Sequence, residues 1–201
     1  MNKNKLIVTV TVIGILTAIS SSSCSLFEPR IPEDPSNEGV VWLYPSSPDI
    51  VVENMQSALN GRSSLYLDCF DESFIFYADT NDINEYPTYD FSNWTLIDEG
   101  FTVTTALYSV VPSDSAITSE FFIDLSHPDP PAPADSVTIY RDYSISIPQS
   151  YHSGTATPAV GIAELHMVED SDGLWSIRAW HDLQHPDATW VTWAVAKAYY
   201  R

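Results

Sequence analysis

The chain has 201 residues, 44% hydrophobic and 12% aromatic, with 27 acidic against 8 basic side chains. That apolar content supports one buried core and excludes wholesale disorder, and the length suits a single domain. A formal charge of −19 excludes a general nucleic-acid binder, which needs clustered Lys and Arg, and two cysteines exclude a disulfide framework.

Residues 1–24 read as a secretory leader. Lys3 and Lys5 form a positive head, Leu6 to Ile19 is an apolar run too short to span a bilayer comfortably, and small residues Ser20 to Ser23 precede Cys24. This end resembles the lipobox of bacterial lipoproteins, where cleavage falls before a lipid-modified Cys. Ser23 fits that pattern, whereas Ser21 stands where Leu is usual. The resemblance implies a signal peptide over 1–23, lipidation of Cys24 and a membrane partner reached through the N-terminal lipid anchor. Ser25 in place of Asp directs the expectation to the outer membrane of a Gram-negative cell. The alternative is an ordinary leader cut within the Ser run.

Residues 24–45 form a tether, with Pro29, Pro32, Pro35 and Pro45 among Glu28, Glu33, Asp34 and Glu38. The stretch Val40 to Pro45 is too apolar for a plain linker and is expected to lie against the single domain, residues 46–201. With Cys24 modified, Cys69 has no disulfide partner and reads as a small buried hydrophobe.

Within the domain, Ser47-Pro48-Asp49 opens a helix: a capping hydroxyl, a proline in the first turn and an acid at the positive end. Ile50, Val51, Met55, Ala58 and Leu59 recur at helical spacing, and Asn60-Gly61 closes the element. A short helix is expected over Ser63 to Phe70, then a strand over Ser73 to Ala78. Asp79 to Ser92 reads as a loop. Trp94 to Val110 reads as a third helix, capped by Thr95 with Asp98 reaching back, with Leu96, Phe101 and Leu107 inward.

From residue 116 the period becomes two. Ile117, Phe121, Ile123 and Leu125 mark one strand, and a projecting Pro-rich loop follows over Ser126 to Asp135. Val137, Ile139, Tyr143, Ile145 and Ile147 mark the next strand. Ala163, Leu165 and Met167 mark a third, with Ile162, Glu164 and His166 opposite. Leu174 to Leu183 forms the last long strand, and Trp190 to Tyr200 a short helix or final packed segment. This order predicts an α+β fold, with N-terminal helices packed on a curved antiparallel β-sheet.

Ser47 to Asn54, Tyr66 to Phe70 with Phe74 to Tyr77, Trp175 to Asp182 and Trp193 to Tyr200 give the chain its resemblance to the cone-shaped nuclear transport factor two-like superfamily. The resemblance covers about residues 46 to 190. It implies a shape rather than a chemistry, because that superfold hosts isomerases, dehydratases, cyclases and non-catalytic subunits. Enzymes of the superfamily place Asp, His and Tyr in the mouth of the cone. Tyr66, Tyr77, Asp142, Glu164, His166, His181 and Asp182 are the positions considered for that role.

Glu164 and His166 share a strand face and could act as a base with its orienter, but the opposite face is the natural core side. Asp182 suits a structural acceptor holding the C-terminal segment better than a base. Trp175 and Trp180, five apart, fall on opposite faces unless a bulge intervenes. Asp79, Asp82 and Glu85 lack the rest of a calcium loop, and His127, His152, His181 and His185 show no zinc-like spacing, so no metal and no cofactor are expected. Catalytic residues are therefore none, with His166, Glu164 and Asp182 as weak candidates. The expected function is a non-catalytic, membrane-anchored binding domain for a small apolar ligand or an envelope protein. Two alternatives stand beside it: a small cone-fold enzyme using a buried His or Asp, and a subunit that homodimerises through its sheet.

Overall fold

In a computed structural model, residues 39–131, 135–148, 158–186 and 189–201 are described. The leader, Cys24 and most of the tether lie outside the described residues, as does His152. Helix α1 (Pro48–Gly61) starts where Ser47 Oγ accepts the Ile50 amide, and buries Val51, Val52, Met55, Ala58 and Leu59. It ends on Arg62, whose φ of 51° is left-handed, rather than on glycine. Arg62 is held there by a hydrogen bond from its guanidinium to Val111 O. Gly61 has a different use: a Cβ there would collide with the Val40 side chain.

That contact belongs to the docked segment 40–45. Asn54 grips it from both sides, accepting from Leu43 N (2.8 Å) and donating to Leu43 O (2.7 Å). Pro45 O accepts from Trp175 N at 2.8 Å, and Trp42 packs against the core. The domain therefore begins before residue 46.

A 3₁₀ turn, Ser64–Cys69, is capped by Ser63 and buries Tyr66 and Cys69. Strand β1 (Phe70–Tyr77) follows. The segment expected as a loop contains a short helix, α2 (Thr80–Glu85), because Asp79 supplies an N-cap acceptor to Asn81 N. The third expected helix is preceded by a two-residue strand, β2 (Trp94–Thr95). The helix itself, α3, runs in three consecutive pieces, Leu96–Glu99, Gly100–Leu107 and Tyr108–Val110, the middle one in π geometry. The Thr95–Asp98 capping box is present. Phe101, expected inward, is 59% exposed, and Glu99 takes the buried position instead.

Strands β3 (Thr118–Ile123), β4 (Ser136–Ser146), β5 (Pro158–Glu169) and β6 (Trp175–Gln184) form the expected antiparallel run. The full order is β2-β1-β6-β5-β4-β3, with β1 parallel to β6, so the sheet is mixed rather than wholly antiparallel. Ile123 and Leu125, expected on the core face, are exposed on and beyond the edge strand β3. The Pro-rich loop is not free to project along its whole length, because Arg141 draws Asp129 back in a two-pronged ion pair and also binds Asp49 at the start of α1. Helix α4 (Trp193–Ala198), capped by Thr192, is buried at every position. The architecture is α+β: a curved six-stranded sheet with helices against it.

One irregularity sets which side chains face in. The β5–β6 register shifts between His166 and Met167, which pair with Ala179 and Ile177 and leave Arg178 as the extra residue. Inward positions are therefore Trp175 and Ile177 before the bulge but Trp180 and Asp182 after it. Both tryptophans are buried, as a bulge requires.

Candidate functional site

The inner face of the sheet carries α4 and a chain of buried polar groups. Asp182 is fully buried and accepts two hydrogen bonds, from Tyr143 Oη to Oδ1 at 2.7 Å and from Ala194 N to Oδ2 at 2.6 Å, while Tyr143 Oη in turn accepts from Trp193 N at 2.8 Å. Burial pushes its carboxyl up to about 7, against the lowering effect of those donors. Gly161 makes room for this arrangement, since a Cβ there would strike Tyr143 Oη and Leu183 O.

Beside it, Lys197 and Glu99 form an ion pair at 2.6 Å with both side chains fully buried. Tyr66 Oη donates to the other Glu99 oxygen at 2.6 Å. The Lys197 ammonium lies 3.3 Å from the Phe76 ring centroid, with Trp94, Trp180 and Trp193 also within cation–π reach. Burial pulls the Lys197 amine down, while Glu99 pushes it back up. Burial and Glu99 together hold the Tyr66 phenol well above its ordinary range. Every charged group here is engaged by another part of the fold.

Asp82 and Asp79 serve the same end. Asp82 accepts from Gln184 Nε2 (2.8 Å) and Thr192 Oγ1 (2.7 Å), and Asp79 accepts from Gln184 N (3.1 Å). They bind β6 and the α4 cap to α2. Between these elements opens a cleft of about 230 Å³ lined by Asp82, Glu85, Tyr86, Gln184, Trp190 and Val191. A neighbouring cleft of about 370 Å³ includes Asp142, Val160, Gly161 and Trp190, which is half exposed.

The outer face brings together residues that sequence spacing kept apart. Glu164 pairs across strands with His181, and His166 lies one diagonal step away. His166 Nε2 and Glu164 Oε1 are 2.8 Å apart. One ligating atom from each of Glu164, His166 and His181 lies within 4.8 Å of the others. Tyr77 stacks on His181 with ring centroids 4.4 Å apart and planes 19° apart. Burial lowers the His181 imidazole below its usual value, with Glu164 opposing and His166 adding to the effect. Thus Glu164 and His166 are neighbours as expected, Asp182 is on the other side of the sheet from them, and His181 joins them unforeseen.

No protein-family model and no curated protein matches the chain. Solved structures similar to it include the β subunit of benzoate 1,2-dioxygenase from Burkholderia mallei, at 17% identity and a TM-score of 0.48, covering 69% of this chain and 89% of that one. A nuclear transport factor 2-like superfamily protein from Salmonella enterica matches at 12% identity and TM-score 0.45, covering 69% and 89%. A ketosteroid isomerase-like protein from Erwinia carotovora atroseptica matches at 12% and 0.43, covering 73% and 95%. One of these neighbours bears the name of the superfamily that the sequence resembles, one is named for its likeness to ketosteroid isomerase, and one is a dioxygenase subunit. At such identities and scores nothing of their chemistry is transferred to this chain.

Proposed function

We propose that the protein is an envelope lipoprotein, anchored through Cys24, whose domain binds a partner on its outer surfaces without catalysing a reaction. The observation that carries the non-catalytic reading is the filled interior: α4 occupies the inner sheet face, and Lys197, Glu99, Tyr66, Asp182 and Tyr143 satisfy one another. An enzyme of the cone type needs a polar group aimed into an apolar hollow. Here Glu164 and His166 are on the outer face, and Asp182 holds down the Ala194 amide. The anchor rests on the leader and the Ser23-Cys24 junction alone.

The exposed surface offers the clefts on either side of Trp190, whose large amphipathic ring suits a protein partner. The anchor is tested by palmitate labelling and cell fractionation. Cys24→Ser is expected to lose the label and leave the membrane fraction, and unchanged labelling overturns the anchor. The binding surface is tested by crosslinking from a photoreactive residue at position 190 in intact cells. A discrete adduct suppressed by co-expressed parent chain but not by co-expressed Trp190→Ala chain supports it, and no adduct above background overturns it.

A further inference from the structure

We propose that Glu164, His166 and His181 form a three-ligand site for a divalent transition-metal ion of the zinc class, on the outer face of the sheet. The proposal is independent of the anchor and of the partner-binding reading. Two imidazoles and one carboxylate are a donor set that zinc accepts, leaving a fourth position for water. In a tetrahedral site such donors stand about 3.3 Å apart. The present separations, 2.8 Å for His166 and Glu164 and at most 4.8 Å among all three, lie on either side of that spacing.

The scaffold under the three ligands is rigid. They project from β5 and β6, which are central strands flanked by β4 and β1, so neither backbone is at an edge. Each ligand is also oriented by a neighbour that is not itself a ligand. The Tyr77 ring stacks on His181, Tyr140 stands directly across the β4–β5 ladder from Glu164, and Thr138 Oγ1 is 3.5 Å from His166 Nδ1, leaving Nε2 toward the site. Partners of this kind fix ring orientation and tautomer in metal sites. The opposing charge nearby is Arg178, which is exposed and turned to Asp71 at 3.7 Å. His166 keeps 42% of its side chain exposed and Glu164 23%, so an ion can enter from solvent. The acidic surface of the molecule favours cation approach.

The test uses the untagged full-length chain in detergent, titrated calorimetrically with Zn²⁺ against excess Mg²⁺, which occupies non-specific carboxylate sites. One zinc per chain is expected, and binding to Co²⁺ should produce the intense visible absorption of a four-coordinate centre. The conservative variants Glu164→Gln and His166→Asn/His181→Asn are expected to lose stoichiometric binding while keeping the far-ultraviolet circular dichroism of the parent. Glu53→Gln, on the exposed side of α1, should bind as the parent does. No stoichiometric zinc, or zinc retained at parental affinity by the His166→Asn/His181→Asn chain, overturns the proposal.

Discussion

Lys197 Nζ sits 2.6 Å from Glu99 Oε2, and neither side chain is exposed to solvent. An ion pair so placed is weak evidence of stabilisation, since two charges have been taken out of water to make it. Its removal by halves is another matter. Glu99→Gln leaves a buried ammonium among four aromatic rings, and Lys197→Met leaves a buried carboxylate with only Tyr66 to meet it. Each single variant is expected to lose about 3–5 kcal/mol of unfolding free energy in urea. The double variant Glu99→Gln/Lys197→Met should lose less than the sum of the two, and strict additivity would refute the coupling.

Asp182 makes the stability of the domain depend on pH. Its carboxyl is raised by burial to about 7, above the unfolded value, so the folded state holds a proton that the unfolded state has released. This contribution is fully present below about pH 4 and is lost as pH rises to about 7, amounting to up to about 4 kcal/mol. Asp182→Asn should cancel that fall. The difference between parent and variant, followed by urea unfolding at stepped pH, is the measurement. A difference that does not change between pH 4 and 7 would sink the assignment, because Asp71, Asp98 and Asp124 are lowered and act in the opposite direction in both proteins.

Asn54 controls the approach of the chain to the domain. Its two hydrogen bonds to Leu43 are the side-chain clamp on segment 40–45. Asn54→Ala removes both and strands the Leu43 backbone, which is expected to destabilise by about 2 kcal/mol. The local effect should exceed the global one. Hydrogen exchange at Leu43 should accelerate far more than exchange in β5.

Arg178 is the extra residue of the β5–β6 bulge, and neither its charge nor its place in the ladder is needed to keep the inner face together. Its ion pair with Asp71 is long, at 3.7 Å, and exposed. Arg178→Ala should change stability by no more than about 0.5 kcal/mol. Deleting Arg178 altogether closes the bulge and restores plain alternation, which keeps Trp175, Ile177, Trp180 and Asp182 together on the inner face. The near-ultraviolet tryptophan signal is expected to survive both the substitution and the deletion, and its loss in the deletion alone would refute the placement of the bulge.

That bulge also marks the limit of what alternation can reveal. The faces of β4 and β5 were legible, because Ile139, Tyr143, Ile145, Ala163, Leu165 and Met167 repeat at two and every one of them is buried. The Ser47 and Thr95 caps were legible because their chemistry is local. On β6 the tryptophan spacing allowed either opposite faces or a bulge, and could not say which holds or where a bulge would fall. Only its placement puts His181 beside Glu164 and Asp182 beneath α4, so the outer trio had no signature in spacing. Glu99 and Lys197 were likewise invisible, since 98 positions separate them and buried charges follow no hydrophobic period. The parallel pairing of β1 with β6 was missed because a strand's own pattern does not name its neighbour.

That pairing has a kinetic consequence. The β4–β5–β6 ladder closes over short sequence separations, whereas Phe76 meets Trp180 only after the intervening hundred or so residues have been brought together. Distant pairing of this kind slows the search for the native state. The seam between β1 and β6 is therefore the natural bottleneck of folding, and a nascent chain lacking β6 would carry β1 as an unsatisfied, aromatic-rich ribbon in need of a chaperone.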